Sequence, residues 1–281
     1  MDRIRWWAVD LDGTFLQDET QAAPYAAMAV AMARWRGIRV CACTGRGLLE
    51  AQDVLLRHGF DRYCVLNNGA TVWDTAAGQA VRNLCFPNDA LRALCRQLAA
   101  QGASLVVQGT GLMHVWAGRM DEPFLSHYAR SVARDGRERL RFRFYPTVHA
   151  LCDGVGADGT VITAGLNAFE HLQQFTRALC AIYPVEISTS GKASGYAHME
   201  ITCRGGNKGA ALAALCAHVG AAPEQVVAFG DGYNDLSMLV WAGTGVAMGN
   251  ADARVKYLAD CVAPSCQNAG FWRMVCALGL L

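Results

Sequence analysis

The chain has 281 residues, and its 25 lysines and arginines are nearly balanced by 24 aspartates and glutamates, which leaves a formal charge of +1. This balance gives no support to a nucleic-acid partner or an anionic membrane surface, so any recognition of phosphate has to be local. The hydrophobic share of 53% and the charged share of 17% are typical of a globular protein with a sizeable core.

The sequence contains no membrane-spanning pattern, because no apolar run approaches roughly 20 residues and two aspartates interrupt the short apolar run near the N-terminus. We therefore expect a cytoplasmic protein with no membrane partner. The 12 cysteines show no paired C-x-x-C spacing. The surroundings of Cys41, Cys43, Cys180 and Cys216 are typical of a hydrophobic core, which favours packed thiols over zinc ligands or a nucleophile.

Strand and helix patterns alternate through the first part of the chain and again through its last third, which predicts a parallel sheet. The first part has predicted strands at residues 4–9, 38–43 and 63–66 and predicted helices at 22–36 and 48–58. The last third has predicted strands at 225–229 and 245–248 and predicted helices at 208–219, 235–241 and 251–258.

The middle of the chain has a different pattern, with two helical stretches at residues 89–100 and 167–182. Alternating segments follow them, and a hairpin-like turn at 108–111 joins two of these segments. Antiparallel strands with helices on one face account for this pattern. The sequence thus predicts an α/β domain interrupted by an inserted α+β domain.

Two aspartates one residue apart, Asp10 and Asp12, follow the first predicted strand, and Gly13 comes next. Side chains at positions i and i+2 of an extended chain point to the same side, so both carboxylates can reach one space. Two like charges this close are unfavourable unless a cation or a shared proton relieves them. The pattern favours a divalent metal, a division of acid and base roles, or both, with a solvated turn as the alternative.

Two further turns, which carry Thr44 and Lys208, have features of phosphate sites. Thr44 opens the turn TGRG at residues 44–47, which offers a hydroxyl and backbone N–H groups to an anion, although an ordinary helix N-cap fits equally. Asn207 is predicted to cap a helix, which places Lys208 in the first turn, where a cation opposes the helix dipole. A bound phosphate would compensate this cation, and a solvated surface lysine is the alternative.

Asp231 ends another apolar strand, and the run FGDGYND at residues 229–235 adds Asn234 and Asp235 behind it. Asp235 by itself fits an acid at a helix N-terminus. The carboxyl ends of parallel strands share one edge of the sheet, where α/β proteins bind ligands, so Asp10 and Asp231 are expected to lie close together. Such oxygen ligands suit Mg²⁺, which takes one or two carboxylates together with a substrate phosphate.

These clusters resemble the four motifs of the haloacid dehalogenase superfamily, and they occur in the family's order. The matching segments are DLDGT at residues 10–14, Thr44 with Gly45 and Arg46, Lys208, and GDGYND at residues 230–235. The runs NNGA at residues 67–70 and AMGNA at 247–251 further resemble the Cof-type subgroup. Departures from the family pattern at Phe15, Cys203 and Gly206 remove no reacting group.

The resemblance implies an α/β fold with a Rossmann-like parallel-sheet core and an inserted α+β cap of the C2B type. The expected core covers residues 1–83 and 204–281, and the expected cap covers residues 84–203. Cap residues set substrate choice in this interpretation. Candidates there are Lys192, His114 and Arg119, with His127, His149 and His198 behind them, although the usual exposure of such side chains favours a solvated turn or sheet-face position for each.

The resemblance also implies a mechanism, in which Asp10 attacks a phosphate monoester to give an aspartyl-phosphate intermediate. Asp12 would protonate the leaving alkoxide and then activate the hydrolytic water. Mg²⁺ is the implied cofactor. Its implied site comprises Asp10, Asp12 through the backbone carbonyl, Asp231 and, as an orienting group, Asp235. The implied phosphate-binding residues are Thr44, Gly45, Arg46, Lys208 and Asn234.

We therefore expect a Mg²⁺-dependent phosphatase that acts on a small phosphorylated metabolite, with a sugar phosphate as the expected class. One alternative is a phosphomutase of the same superfamily, in which the intermediate returns its phosphoryl group to substrate. Another is a sensor that binds a phosphorylated metabolite without catalysis. The complete set of reacting residues argues against the sensor, because function follows from the site rather than from the fold.

Overall fold

The computed structural model describes residues 4–18, 20–109, 111–118, 142–166, 171–192 and 196–281. The chain forms two compact units. Unit 1 comprises Met1–Gly47, Ala51–Asn83 and Asn207–Leu281, and unit 2 comprises Leu48–Glu50 and Leu84–Gly206. The cap boundaries at residues 84 and 203 stay predictions. The candidate residues Arg119 and His127 lie outside the described residues.

The strands and helices of the described residues are numbered in chain order. The strands are β1 (Trp6–Val9), β2 (Arg39–Ala42), β3 (Tyr63–Leu66), β4 (Thr71–Asp74), β5 (Gln79–Asn83), β6 (Ser104–Gly109), β7 (Leu112–Trp116), β8 (Phe142–Phe144), β9 (Val161–Leu166), β10 (Val185–Lys192), β11 (Tyr196–Cys203), β12 (Val226–Gly230), β13 (Thr244–Ala247) and β14 (Cys261–Val262). The helices are α1 (Ala26–Trp35), α2 (Leu48–His58), α3 (Asn88–Ala100), α4 (Val148–Val155), α5 (Leu172–Ile182), α6 (Lys208–Val219), α7 (Leu236–Trp241), α8 (Ala253–Leu258) and α9 (Gly270–Ala277).

Unit 1 contains a five-stranded parallel sheet in the order β14-β13-β12-β1-β2. All four residues of β1 are buried, as expected for a parallel strand with both faces covered. Val9, the last residue of β1, pairs with Phe229 of β12 and with Ala42 of β2. The carboxyl ends of these three strands therefore lie side by side, and the turns that follow them lie along the same edge of the sheet. The predicted Rossmann-like parallel sheet is confirmed.

An aromatic cluster packs on the inner strands of this sheet. The ring of Trp7 lies edge-on to the rings of Phe271 and Phe229, at centroid distances of 5.9 and 6.3 Å. Phe271 and Phe229 also meet edge-to-face at 4.9 Å. These contacts bring α9 onto β1 and β12, so large buried side chains stabilise the two strands whose ends carry the aspartates.

A small antiparallel sheet, β3-β4-β5, completes the strands of unit 1. Only β3 was expected from the sequence. β4 and β5 carry no clear alternation, and the pairing shifts by one residue between Val72 and Trp73. The hairpin thus depends on pairing with β3 rather than on a strong local pattern.

Unit 2 is built on a six-stranded sheet in the order β10-β11-β9-β6-β7-β8. Its pairs are antiparallel except β7 and β8, which run parallel. Apolar residues of α3, α4 and α5 join one face of the sheet in a single core, with Leu94, Leu151 and Leu179 among its members. The expected α+β pattern is confirmed, with helices on one face of a mostly antiparallel sheet.

The cysteines follow the expectation with one correction. All 12 are free, and Cys41, Cys43 and Cys216 are buried as predicted. Cys180 is exposed, so the prediction of a core position was wrong there. It follows Leu179, which faces the core from α5, and one residue further along a helix turns the side chain by about 100°. Among the described residues, no helix is both long and apolar enough to cross a bilayer.

Candidate active site

Asp10 lies directly after β1, where its N–H donates to the carbonyl of Phe229 at 2.9 Å. The residue is buried, and one carboxylate oxygen, Oδ1, lies 2.7 Å from Nζ of Lys208. Burial and then the neighbouring carboxylate of Asp235 raise the pKa of Asp10 well above its usual value, against the opposing effect of Lys208. A further cation beside Asp10 would keep it ionised.

Lys208 is fully buried at the start of α6, so the interpretation as a solvated surface lysine was wrong. Asn207 caps the helix as predicted, because its Oδ1 accepts from the N–H of Ala210 at 2.8 Å. Lys208 Nζ donates to Asp10 Oδ1 at 2.7 Å and to Asp235 Oδ1 at 2.6 Å. Burial acts to lower the pKa of Lys208, but the two carboxylates outweigh it and raise the pKa.

Asp235 is engaged on both carboxylate oxygens. Its Oδ2 accepts from the N–H groups of Asp231 and Gly232 at 2.9 and 2.8 Å, while Oδ1 accepts from Lys208. These three donors hold a carboxylate that is only 1% exposed. The arrangement suits a group that orders the loop after β12 and positions Lys208.

Asp231 begins that loop, and the environment of its carboxylate is unfavourable to negative charge. Burial, followed by the nearby Asp235, raises the pKa of Asp231 to about 7. Carboxylate oxygens of Asp10, Asp231 and Asp235 lie within 4.8 Å of one another. A divalent ion that prefers oxygen ligands, such as Mg²⁺, fits this donor set and would relieve the repulsion.

The carboxylate of Asp12 lies outside the cluster of Asp10, Asp231 and Asp235 and pairs with Arg46. The Nε of Arg46 donates to Asp12 Oδ2 at 2.8 Å, and Nη2 pairs with Oδ1, so the contact is a two-pronged ion pair. Half of the Asp12 side chain is exposed, at 50%, against 18% for Arg46. The resemblance implies that the Arg46 guanidinium binds the substrate phosphate, and in the structure it binds the carboxylate of Asp12.

Thr44 is buried, and its hydroxyl accepts from the N–H of Arg46 at 3.1 Å rather than from the first turn of α2. Its own N–H donates to the carbonyl of Val65 at 2.9 Å. The hydroxyl therefore shapes the turn at residues 44–47. The alternative of an ordinary N-cap of α2 does not describe this contact.

The turn after β3 connects Thr44 and Asn234, and we did not identify this role from the sequence. Asn67 and Asn68 both adopt positive φ angles, 54° and 52°. The N–H of Asn68 donates to the Thr44 carbonyl at 3.1 Å, and its Oδ1 accepts from Nδ2 of Asn234 at 2.8 Å. Asparagine tolerates the left-handed conformation better than most residues, so paired asparagines before Gly69 were the available signal.

Asn250 is a second residue that the sequence analysis missed as a site residue. It lies in the turn after β13 and donates to Asp231 Oδ2 at 2.8 Å. The signal was its position, since the turn follows another strand of the same parallel sheet.

The structure locates four of the six residues that were expected to set substrate choice. His114 lies in β7 and is buried, with Nδ1 at 2.7 Å from the hydroxyl of Tyr145 and the two rings stacked. Burial, and then Arg143, lowers the pKa of His114. His149 lies in α4, His198 in β11, and Lys192 ends β10.

Comparison with known proteins finds a matching family and several similar phosphatases. The family model for haloacid dehalogenase-like hydrolases matches residues 7–275. The chain is 30% identical to pyridoxal phosphate phosphatase YbhA of Escherichia coli strain K12 over 91% of each chain. It is 26% identical to 5-amino-6-(5-phospho-D-ribitylamino)uracil phosphatase YcsE of Bacillus subtilis strain 168, over 92% of this chain and 88% of the relative. The solved structure of the subclass IIB sugar phosphatase BT4131 superposes with a TM-score of 0.82 at 21% identity, over 99% of this chain and all of the other.

Proposed function

Because the chain belongs to the haloacid dehalogenase-like hydrolases, we propose that it is a Mg²⁺-dependent phosphatase that works through a phosphorylated Asp10. The predictions of the family and of a phosphoric monoester hydrolase are confirmed by the family match and by the named phosphatases among its relatives. The observation that carries the mechanism is the buried Asp10 carboxylate, 2.7 Å from Lys208 and beside Asp231 and Asp235. We propose a small phosphorylated metabolite, with a sugar phosphate as the class, as the substrate.

The proposed metal site uses the carboxylates of Asp10 and Asp231, together with the backbone carbonyl of Asp12. Asp235 belongs to the same cluster, but its oxygens already accept three hydrogen bonds, so we assign it to positioning. Bound there, Mg²⁺ would neutralise phosphate charge and allow an anionic nucleophile to approach an anionic substrate.

Asp10 is the proposed nucleophile. One of its oxygens attacks phosphorus in line, the bond to the leaving oxygen breaks, and the phosphoryl group is held as an acyl phosphate. Lys208 fixes the carboxylate through its 2.7 Å hydrogen bond and supplies positive charge close to the transferring group. Water then cleaves the intermediate and restores Asp10.

Asp12 is the proposed acid and base. It gives a proton to the departing alkoxide and later takes one from the attacking water. Arg46 contacts both carboxylate oxygens of Asp12. We therefore assign two roles to Arg46, which are to orient Asp12 and to bind phosphate. Thr44, Gly45 and Asn234 are the remaining proposed phosphate ligands, and the turn at Asn68 holds this group together.

The proposal is tested with p-nitrophenyl phosphate and purified protein. Wild-type protein is expected to release phosphate in the presence of Mg²⁺, and this release is expected to stop when EDTA removes the metal. The D10N variant is expected to lose activity by about 10³-fold or more, as enzymes do when a nucleophile is removed. The matched control is D89N, since Asp89 is an exposed acid in the first turn of α3.

If D10N keeps its activity and its circular dichroism is unchanged, Asp10 is not the nucleophile. The substrate is tested separately with a panel of sugar phosphates, pyridoxal 5′-phosphate and nucleotides. We expect the highest kcat/KM for a sugar phosphate. A clear preference for pyridoxal phosphate would retain the mechanism and replace the substrate class.

A further inference from the structure

Asn250 lies on the turn that follows β13, beside the loop that carries Asp231. β13 pairs with β12 in register from Val227↔Thr244 to Gly230↔Ala247. The N–H of Met248 continues this pairing by donating to the carbonyl of Gly230 at 2.9 Å. The backbone thus brings the turn to the residue directly before Asp231.

The side-chain amide of Asn250 is held at three points. Its Nδ2 donates to Asp231 Oδ2 at 2.8 Å and to the carbonyl of Gly13 at 2.9 Å. Its Oδ1 accepts from the N–H of Cys266 at 2.8 Å. An asparagine amide has two N–H donors, so both are used, and the three contacts fix the plane of the group.

Gly13 approaches the same carboxylate oxygen from another side. Its φ is +81°, and a Cβ at this position would lie 2.2 Å from Asp231 Oδ2. The backbone of Gly13 and the amide of Asn250 therefore determine together where Oδ2 lies. No hydrogen bond among the described residues uses the second oxygen, Oδ1.

We infer that Asn250 is a positioning residue that sets metal affinity by orienting the Asp231 carboxylate and joining it to the turn after β1. This inference rests on the metal site of the proposed function. The amide is neutral, so it holds one oxygen without adding a charge that would compete with a cation for the other. A lysine or arginine there would instead neutralise the ligand. Removing a group that orients a metal ligand in this way typically weakens the affinity for the metal by about 10- to 100-fold.

The test measures Mg²⁺ binding to metal-free protein by isothermal titration calorimetry, and Mn²⁺ binding by electron paramagnetic resonance. N250A is expected to raise the dissociation constant for both ions by about 10- to 100-fold. At saturating Mg²⁺ most of kcat is expected to return, with little change in KM for p-nitrophenyl phosphate. The matched control is N234A, because Asn234 bonds to Asn68 rather than to Asp231, so its metal affinity is expected to stay at the wild-type value.

Folding of N250A is checked by thermal unfolding in EDTA. If this variant does not fold, N250S is titrated in its place, since a serine hydroxyl is too short to reach both Gly13 and Asp231. Equal metal affinity in wild type and the folded variant would overturn the role of Asn250 and leave the metal site standing. Failure of the wild-type protein itself to bind either ion would instead remove the metal site and the inference with it.

Discussion

Lys208 is a cation enclosed by protein, and its charge is balanced by Asp10 and Asp235 rather than by solvent. A lysine at a helix start requires a compensating negative charge, and the sequence predicts a bound phosphate in that role. The structure supplies two carboxylates, one of them 198 residues earlier in the chain. A local pattern shows that compensation is needed, but only the fold determines which groups provide it.

The K208M variant is predicted to be destabilised by about 3–5 kcal/mol, the usual cost of removing one member of a buried ion pair. Two buried carboxylates would then lie close together without their cation. The measurement is urea unfolding of metal-free protein at pH 7. Activity is expected to be lost as well, but the stability readout does not depend on it.

The second variant in this test is K208M/D10N, which removes one of the stranded charges. It is expected to recover part of the stability lost in K208M, which would show that carboxylate repulsion causes the loss. A double variant no more stable than K208M would indicate that packing of the lysine stem, rather than its charge, matters most.

Other site residues show the same division between local signals and partners from distant segments. Asp10, Thr44 and Asp231 were predicted because each follows an apolar strand and the strands belong to one sheet. The pairing of Arg46 with Asp12 and the three hydrogen bonds of Asn250 were not predicted. These contacts depend on side-chain directions in turns, which periodicity does not determine.

At the scale of elements, β1, β2, β12 and β13 of the parallel sheet were predicted because their apolar runs alternate with helices, whereas the two-residue β14 was missed. The strand at residues 225–229 and the helix at 208–219 closely match β12 and α6. The hairpin of β4 and β5 was missed, since neither strand shows a clear alternation and β5 is exposed or half-buried throughout. Strands that lie in continuous apolar runs were therefore identified from the sequence, and strands without such a run were not.

An ion pair between the last residue of β4 and the residue before β3 has an effect on stability that depends on pH. Arg62 donates to Asp74 through Nε at 2.9 Å, and the N–H groups of Ala76 and Ala77 donate to the same carboxylate. Arg62 first, and the backbone donors after it, lower the pKa of Asp74 to about 2. An unfolded aspartate has a pKa of about 3.9, so the stabilisation is complete above that pH and is lost as pH falls towards 2.

The D74N variant is accordingly predicted to lose less stability than the wild type between pH 4 and pH 2. The measurement is the urea midpoint at half-unit intervals from pH 2 to 5, with D89N as the control that should follow the wild-type slope. Parallel curves for wild type and D74N would show that the ion pair contributes equally in the folded and unfolded chain.

At the scale of the whole molecule, the chain forms two compact units, and every residue of the candidate site belongs to unit 1. Unit 2 has its own six-stranded sheet and its own core of residues from three helices. The sequence suggested this organisation through the change of pattern near residue 83. It could not supply the strand order of the inserted sheet, because antiparallel pairing leaves several orders open.

A segment of residues 84–206 is predicted to fold alone, because a core that is closed within one continuous stretch does not require the flanking chain. Thermal unfolding followed by circular dichroism should then show one cooperative transition, and the segment should release no phosphate from p-nitrophenyl phosphate. The control is L98D in the same segment. Leu98 is fully buried, so an unpaired charge there should abolish the transition. Gradual melting of the unaltered segment, with exposed apolar surface detected by dye binding, would mean that unit 2 depends on unit 1 for its stability.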